Sequence, residues 1–492
     1  MTSTPAVNKH LIFVTQYVDF IDHFGTAFLS AVAKNVGWTP HFVVFDQRTI
    51  GEVMERVKPS LVCYSAMSTD APTYLKINRW MKERYQFVSL MGGTHPTYFP
   101  EVIEEEGLDY ICRGEGEEFF AEFLNTMAAG GDLEKIQNLW SKTTRNPVRH
   151  PPSDLDDLPM PDRSLIFDST DLGKSPIKTF MASRGCPFSC AYCHNNSLKE
   201  LYSGFGKHYR HHSVDRVIRE IAGVKAKYPL HFIKFEDDLF AAKTSWLREF
   251  SARYKQEIGV PFNCLQRFEI VNDERVRLLK EAGCVSISMS IESANPRIRR
   301  DILTRDMALT NDQIRERLQL IKSYGLNVMT SQILGVPTST LEDERIGLEL
   351  SISGGADFAG AAILFPFPRT AIHDYCEREG LLPDSLEDSG VSLQQMSQLK
   401  GFTDRERATQ WNLSNFWPTM CKYPLLKPFL WWLAQNSPPL GIYSLVHVLA
   451  KSYLYSKYIF PIKGQLPTKF RMLGKALSIE VRQKLGLERK II

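Results

Sequence analysis

The chain has no run of the roughly 18–20 apolar residues that a membrane-spanning helix needs. It also has no basic segment followed by a long apolar one behind Met1, so no signal peptide is expected. An excess of one sign of charge is nearly absent as well: 59 Lys and Arg against 56 Asp and Glu leave a net formal charge of +3, which makes no general case for nucleic-acid binding. Cysteine is scarce. The nine are Cys63, Cys112, Cys186, Cys190, Cys193, Cys264, Cys284, Cys376 and Cys421. An odd, mostly scattered set argues against a disulfide framework and for a reducing, cytoplasmic setting. What is present is a composition of 43% hydrophobic and 23% charged residues. That suits a folded chain of about two or three domains.

Over residues 1–138, short apolar runs alternate with helical patterns. "HLIFVTQ", "HFVVFD", "SLVCYSAM" and "FVSLMGG" read as buried parallel strands. "TIGEVMERVKP" and "APTYLKINRWMKERY" lie between them with helical spacing. This alternation predicts a flavodoxin- or Rossmann-like, doubly wound α/β domain. Residues 139–175, rich in Pro, Asp and Ser, read as a linker. From 176 to 385 six further strands ("IKTFMAS", "HFIKFED", "FNCLQRF", "VSISMSIES", "VMTSQILG", "FAGAAILF") alternate with helices. They predict a partial (βα)6 barrel of TIM type. Residues 386–492 read as a helical C-terminal region.

Three of the scarce cysteines gather in "SRGCPFSCAYCHNN" as Cys186, Cys190 and Cys193. Zinc ordinarily takes four protein ligands, often as two CxxC pairs, and here only His194 adjoins as a fourth. A 4Fe–4S cluster on three thiolates leaves one iron open for a ligand.

The Cx3CxφC pattern, with Tyr192 at φ, resembles the signature of radical S-adenosylmethionine (SAM) enzymes. Further landmarks follow in order. "FEDDLF" offers Asp237 and Asp238 where the family holds the methionyl amino group. "SIES" offers Glu292 and Ser293 for the ribose. "ILGVP" matches the glycine–x–proline turn at Gly335 and Pro337, and "FPFPRT" is similar to the family's PFPGT. Two departures concern the adenine side. Thr338, Ser339 and Thr340 stand where GET is common, and Arg369 replaces the glycine before Thr370. The resemblance implies that SAM chelates the open iron and is cleaved to a 5′-deoxyadenosyl radical.

Upstream, "MGGTHPTYFPE" and "CRGEGEEFF" are glycine turns at strand ends, where a ligand can approach the backbone. Taken alone, each is an ordinary tight turn. Followed by the cysteine motif, they resemble the cobalamin-binding domain of cobalamin-dependent radical SAM enzymes. That resemblance assigns Gly92, Gly93, His95, Pro96, Thr97, Gly114, Glu115, Gly116 and Glu117 to the cofactor, with Ser65 and Ser68 near its nucleotide tail. The Asp-x-His-x-x-Gly pattern of other cobalamin domains is absent, since Asp22 and His23 are adjacent, so no lower cobalt ligand is assigned. The implied reaction is methylation of an unactivated carbon through methylcobalamin. Relatives that form rings, including tetrapyrrole cyclases, share these motifs, so cyclisation stands as the alternative. No side-chain nucleophile or other catalytic residue is identified beyond the cluster site. A tRNA-modifying methylthiotransferase would normally carry a second cysteine trio, and Cys63 and Cys112 are too isolated to form one.

The expected partners are a small-molecule or lipid-like substrate and a low-potential electron donor of flavodoxin or ferredoxin type. The C-terminal region is expected to contribute to the substrate side. From Lys451 to Ile492 it holds ten Lys/Arg against two Glu. Its aromatic helices read either as caps on the barrel or as a peripheral membrane contact. In the second reading Trp431, Trp432, Tyr453, Tyr455 and Tyr458 sit at headgroup level, with Lys451 and Lys457 beside anionic lipid. Nucleic acid is the least favoured partner.

Overall fold

The computed structural model describes residues 7–18, 22–305, 308–384 and 396–461, together with Gly474. The N-terminal half alternates β1 (His10–Thr15), α1 (Phe24–Asn35), β2 (Thr39–Val44), α2 (Gln47–Val57), β3 (Leu61–Ser65), α3 (Ala71–Lys82), β4 (Val88–Gly92), α4 (Thr94–Tyr98), β5 (Tyr110–Cys112) and α5 (Glu117–Ala128). A short β6 (Leu139–Trp140) completes a sheet of order β2-β1-β3-β4-β5-β6. All pairs are parallel except the last. The apolar run of β1 serves both faces, because successive side chains point to opposite sides. Leu11 and Phe13 pack with Val32 and Phe120 of α1 and α5, while Ile12 and Val14 pack with Ile50 and Ile77 of α2 and α3. The chain crosses from one side of β1 to the other between β2 and β3. This reversal opens a crevice at the carboxyl ends of β1 and β3.

Residues 139–175 are packed rather than free. They include α6 (Arg163–Phe167), and Leu155, Ile166, Phe167 and Leu172 are buried. Beyond them come β7 (Ile177–Phe180), β8 (Ser183–Arg184), α7 (His194–Leu201), β9 (Arg210–His211), α8 (Val214–Lys227), β10 (Phe232–Phe235), α9 (Thr244–Glu257), β11 (Phe262–Leu265), α10 (Asp273–Ala282), β12 (Cys284–Glu292), α11 (Asn311–Ser323), β13 (Asn327–Leu334), α12 (Leu341–Ser353), β14 (Phe358–Ile363) and α13 (Ala371–Arg378). Strands β7, β10, β11, β12, β13 and β14 form an all-parallel sheet in that spatial order, a partial barrel. On β13, Val328, Thr330, Gln332 and Leu334 are buried, while the alternate Asn327, Met329, Ser331 and Ile333 are only half-buried. The half-buried set faces the barrel interior, where Ser331 meets Ser290 of β12 at 2.6 Å. Ser290 and Ser331 keep that part of the interior small and polar.

Three helices follow: α14 (Asp404–Lys422), α15 (Lys427–Asn436) and α16 (Gly441–Leu454). Phe416 and Trp417 of α14 pack with Leu334, Leu348 and Ala359, covering the β13–β14 edge. Residues 455–460 then close the floor of the barrel. The carbonyls of Tyr458 and Ile459 accept from Asn327 (2.8 Å) and Ser286 (2.6 Å), near the amino ends of β13 and β12. The Tyr455 ring meets Phe358 at 4.7 Å, and Phe460 meets Phe232 at 5.7 Å. This segment therefore lies at the end of the barrel opposite the carboxyl ends of its strands. Apart from Gly474, the basic stretch from 462 onward lies outside the described residues.

Candidate cofactor and active site

The cysteine loop springs from the two-stranded ribbon β8–β9 and ends where Cys193 caps α7. Cys186 and Cys190 are buried and Cys193 half-buried. The loop is pinned from the barrel: Ala191 N–H donates to Leu303 O (2.9 Å), and its carbonyl accepts from Ile372 N–H (2.9 Å). Lys199 donates to the Phe188 carbonyl (2.6 Å) and Ser189 Oγ (2.9 Å). Burial pushes the Cys186 and Cys193 thiols up, so a bound cation is needed to favour their thiolates.

Asp237 and Asp238 follow β10 but face different surroundings. Asp237 is buried; both its oxygens accept from Ala182 N–H at 3.1 Å, and Ser183 Oγ donates to Oδ1. Burial raises its carboxyl to about 7. It pins the backbone just before the cysteine motif. Asp238 instead opens to solvent. Its carboxyl is raised, by desolvation first, with Asn195 opposing the shift, and it lies within electrostatic reach of Cys186 and Cys193.

Glu292 ends β12 at φ +63°, in the left-handed region. The register with β13 shifts between Ser290 and Glu292. This irregularity turns the carboxylate toward the cysteine loop, where Tyr192 donates to it at 2.8 Å. Arg305 completes the group, donating to Tyr192 Oη (3.2 Å) and Ser290 O (2.5 Å), with Glu292 at 3.7 Å. Its buried Nε has no partner among the described residues. Sequence reading missed Arg305, because "LTRD" carries no signal until the fold brings it under Tyr192. Ser293 is buried beside Glu292 and takes Asn295 N–H at 3.2 Å.

Gly335 adopts φ +69° and donates its N–H to buried Glu344 (3.0 Å), and Pro337 is buried next to it. Thr340 does not approach the turn as a ligand; it caps α12 in a capping box with Asp343. Arg369 adopts the left-handed conformation, at φ +67°. Its guanidinium reaches Glu101 at 3.3 Å, and its carbonyl accepts from Ser197 of α7.

In the N-terminal sheet, the turn after β4 lies against the turn after β3. A Cβ on Gly93 (φ +100°) would stand 2.7 Å from Ala66 O, so only glycine fits. Ala66 N–H donates to Gly92 O (2.8 Å), and His95 N–H to Ala66 O (2.9 Å). Ser65 is exposed at the end of β3, and Ser68 Oγ meets His95 Nδ1 at 3.1 Å. Thr97 Oγ1 bridges Gly93 O (2.7 Å) and Gly114 N–H (3.0 Å), while Pro96 is buried. These turns share one end of the sheet.

Glu115 and Glu117 are held in ion pairs. Glu115 pairs with Arg184 (2.9 Å) and Arg210, and Glu117 with Arg184 (2.6 Å). A buried carboxylate needs such a partner, and these arginines come from the ribbon that carries the cysteine loop. Gly116 starts α5 against Leu29 and Cys112. Asp22 is likewise structural: it accepts from Thr179 N–H (3.0 Å), Thr179 Oγ1 (2.9 Å) and Arg163 (3.1 Å). Burial lowers the His23 pKa, outweighing the nearby Asp22. Across the same mouth, Tyr98 of α4 donates to the carbonyl of His194, next to Cys193, at 3.0 Å.

Residues 181–348 match the Radical SAM superfamily and residues 12–124 match the B12 binding domain. An uncharacterized methyltransferase of Pyrococcus horikoshii is 30% identical over 368 residues, covering 73% of this chain and 78% of that protein. The chain belongs to the radical SAM superfamily. Within it, this is a B12-binding radical SAM methyltransferase. A cytidylyl-2-hydroxyethylphosphonate methyltransferase of Streptomyces wedmorensis is 20% identical, covering 64% of each chain. In fold, the chain resembles the radical SAM methyltransferase TsrM of Kitasatospora setae, a structure with cobalamin and a [4Fe-4S] cluster bound. The TM-score is 0.68 at 15% identity, covering 91% of this chain and 100% of that one.

A radical SAM protein with a B12-binding domain takes a 4Fe–4S cluster, SAM and cobalamin. The donor set here fits a cluster. Sulfurs around one tetrahedral zinc stand about 3.8 Å apart, given Zn–S bonds of about 2.3 Å. Among the described residues, three ligand atoms within 4.8 Å of one another occur at His373, Asp374 and Glu377, and the cysteine trio forms no such group. Three thiols on one loop suit a cluster that keeps one iron open. No helix among the described residues is long and apolar enough to cross a membrane.

Proposed function

We propose that this radical SAM methyltransferase methylates an unactivated carbon of a small-molecule or lipid-like substrate held in the barrel lumen. The supporting observation is the contact of Tyr98 with His194, which brings the glycine turns of the B12-binding domain against the cysteine loop. When bound, the cluster and SAM supply a hydrogen-abstracting radical, and cobalamin supplies the methyl group. In this reading Cys186, Cys190 and Cys193 hold the cluster. Asp238, open toward them, receives the amino group of SAM, and Asp237 shapes the loop behind. Glu292 and Ser293 take the ribose, Arg305 offers its unpartnered edge to the carboxylate, and the Gly335–Pro337 turn lies along the adenine. Gly92, Gly93, Ser65, Ser68, Thr97 and Gly114 cradle cobalamin by backbone and hydroxyl. Ala191, Ile302, Val336 and Ile372, buried together under the loop, keep water from the reacting atoms.

The test is anaerobic reconstitution of the full chain with cluster, cobalamin and SAM carrying a deuterated methyl group. A reductant and candidate substrates are supplied, and products are read by mass spectrometry. Deuterated methyl in the product is expected. An unlabelled, ring-closed product would overturn the methylation reading in favour of cyclisation.

We also propose that α15 and α16 rest on an anionic bilayer surface. Phe429 and Trp432 on α15, and Ile442, Leu445 and Leu449 on α16, form outward apolar stripes. The chain beyond them, residues 462–492, holds eight Lys/Arg against two Glu. Apolar stripes followed in sequence by basic charge match lipid tails beneath anionic headgroups. Tyr455 packs at the barrel floor against Phe358 and Phe460, while the Tyr458 ring lies under the amines of Lys422 (3.9 Å) and Lys457 (5.1 Å). Trp431 packs inward beside Phe416 and Met420.

A further inference from the structure

Arg267 lies two residues past the end of β11, at the mouth of the barrel, and is only 5% exposed. Three contacts fix its guanidinium. Nε donates to Glu269 at 3.1 Å, and Nη2 donates to the same carboxylate oxygen. The flat face lies over the Phe188 ring, 3.7 Å from its centroid. The remaining edge points to the cysteine loop, where Nη1 stands 3.2 Å from Cys190 Sγ. Burying an arginine is costly unless every edge is used. Here one edge is spent on a sulfur 77 residues away in sequence. A surface ion pair with Glu269 would need neither the burial nor the ring.

We infer that Arg267 is a positioning residue that donates a hydrogen bond to the Cys190 thiolate and thereby raises the reduction potential of the cluster. This rests on the reading that Cys190 is a cluster ligand. An N–H donor and an adjacent positive charge both stabilise electron density on thiolate sulfur. The reduced cluster carries one more negative charge than the oxidised one, so it gains more. Phe188 and Glu269 hold the donor rigid, so the hydrogen bond costs little ordering when the electron arrives. Glu269 offsets part of the cation's field, so the directed N–H is the larger share of the effect. The chemistry requires a cluster reducible enough to pass an electron to SAM, and Arg267 sets that balance from outside the ligand set.

The experiment uses the full chain, reconstituted anaerobically without cobalamin or SAM, and titrated potentiometrically with the reduced cluster read by electron paramagnetic resonance. Removing Arg267 alone would leave the half-buried Glu269 unpaired, so the paired variant R267M/E269Q is compared with E269Q. R267K tests whether charge without the planar fork suffices. The expected result is unchanged iron content per chain, with the midpoint of R267M/E269Q lower than that of E269Q. R267K should fall between wild type and the paired variant. Equal midpoints in R267M/E269Q and E269Q would overturn the inference. So would loss of the cluster from both Arg267 variants with the fold intact by circular dichroism, since Arg267 would then only hold the loop in shape. A wild-type chain that takes up no 4Fe–4S cluster would sink the ligand reading itself, an outcome separable from the others.

Discussion

Glu344 shows how one buried group can tie a motif to pH. Its Oε1 accepts the Gly335 N–H, and its Oε2 has no partner among the described residues. Burial pushes its carboxyl up to about 8, against roughly 4.3 in an unfolded chain. The folded state therefore holds the proton more tightly. Between those two values the folded chain binds a proton that the unfolded chain has lost, so stability falls as pH rises from about 4 to about 8. Glu344→Gln keeps an acceptor for Gly335 and cannot ionise. Thermal melts should show wild type losing stability across that window and the variant losing less, with the variant the more stable above pH 8. Parallel curves would refute the assignment. Glu344→Ala, which orphans the Gly335 N–H, should cost about 1–3 kcal/mol at pH 7. The glycine and proline of this turn were legible in the sequence as "LGVP", but the carboxylate behind them was not. Glu344 sits in "LEDERIG" among acids that face solvent, and only burial sets it apart.

At the level of elements, the ribbon β8–β9 joins the two sheets through charge. Arg184 stands two residues before Cys186 and holds both Glu115 and Glu117. Burial alone would raise the Glu117 carboxyl, but Arg184 beside it wins and keeps it below the usual range. Its contribution is present above roughly pH 4.3 and lost as the carboxyl protonates below that. Arg184→Met should destabilise by about 3–5 kcal/mol, because it strands buried carboxylates. Pairing it with Glu117→Met should restore part of that loss. Denaturant unfolding of the single and double variants gives the coupling directly, and additive losses would refute the clamp. The strands of both sheets were legible because parallel strands buried on two faces read as continuous apolar runs. The antiparallel β6 and the ribbon were not, since two-residue strands leave no periodicity. The ion pairing of "GEGE" was not legible for a related reason. The motif shows two carboxylates at a strand end, while the arginines that claim them lie about seventy residues or more along the chain. Only the packing of one sheet on the other brings them together.

The whole molecule has a mouth, where the glycine turns and the cysteine loop meet, and a floor, sealed by residues 455–460. Ile459 is fully buried there. Ile459→Ala should cost about 2–4 kcal/mol in unfolding free energy and leave iron uptake at the far end unchanged, which separates floor from mouth. Iron loss in a still-folded variant would contradict that separation. The outward stripes of α15 and α16 belong to this same scale, because no single residue makes a membrane contact. Phe429 and Trp432 are each 59% exposed, and their removal from water has no counterpart within the described chain. Substituting both by Ser should leave the melting temperature within a degree or so, since exposed side chains contribute little to folding. Sedimentation with vesicles of about one-third anionic lipid should fall several-fold in that variant. Wild-type binding should weaken as salt screens the basic stretch and should be near absent on neutral vesicles. Equal sedimentation of variant and wild type would exclude the stripes as the contact. A concentration-dependent dimer that the same substitutions dissolve would assign the face to a second copy of the chain instead.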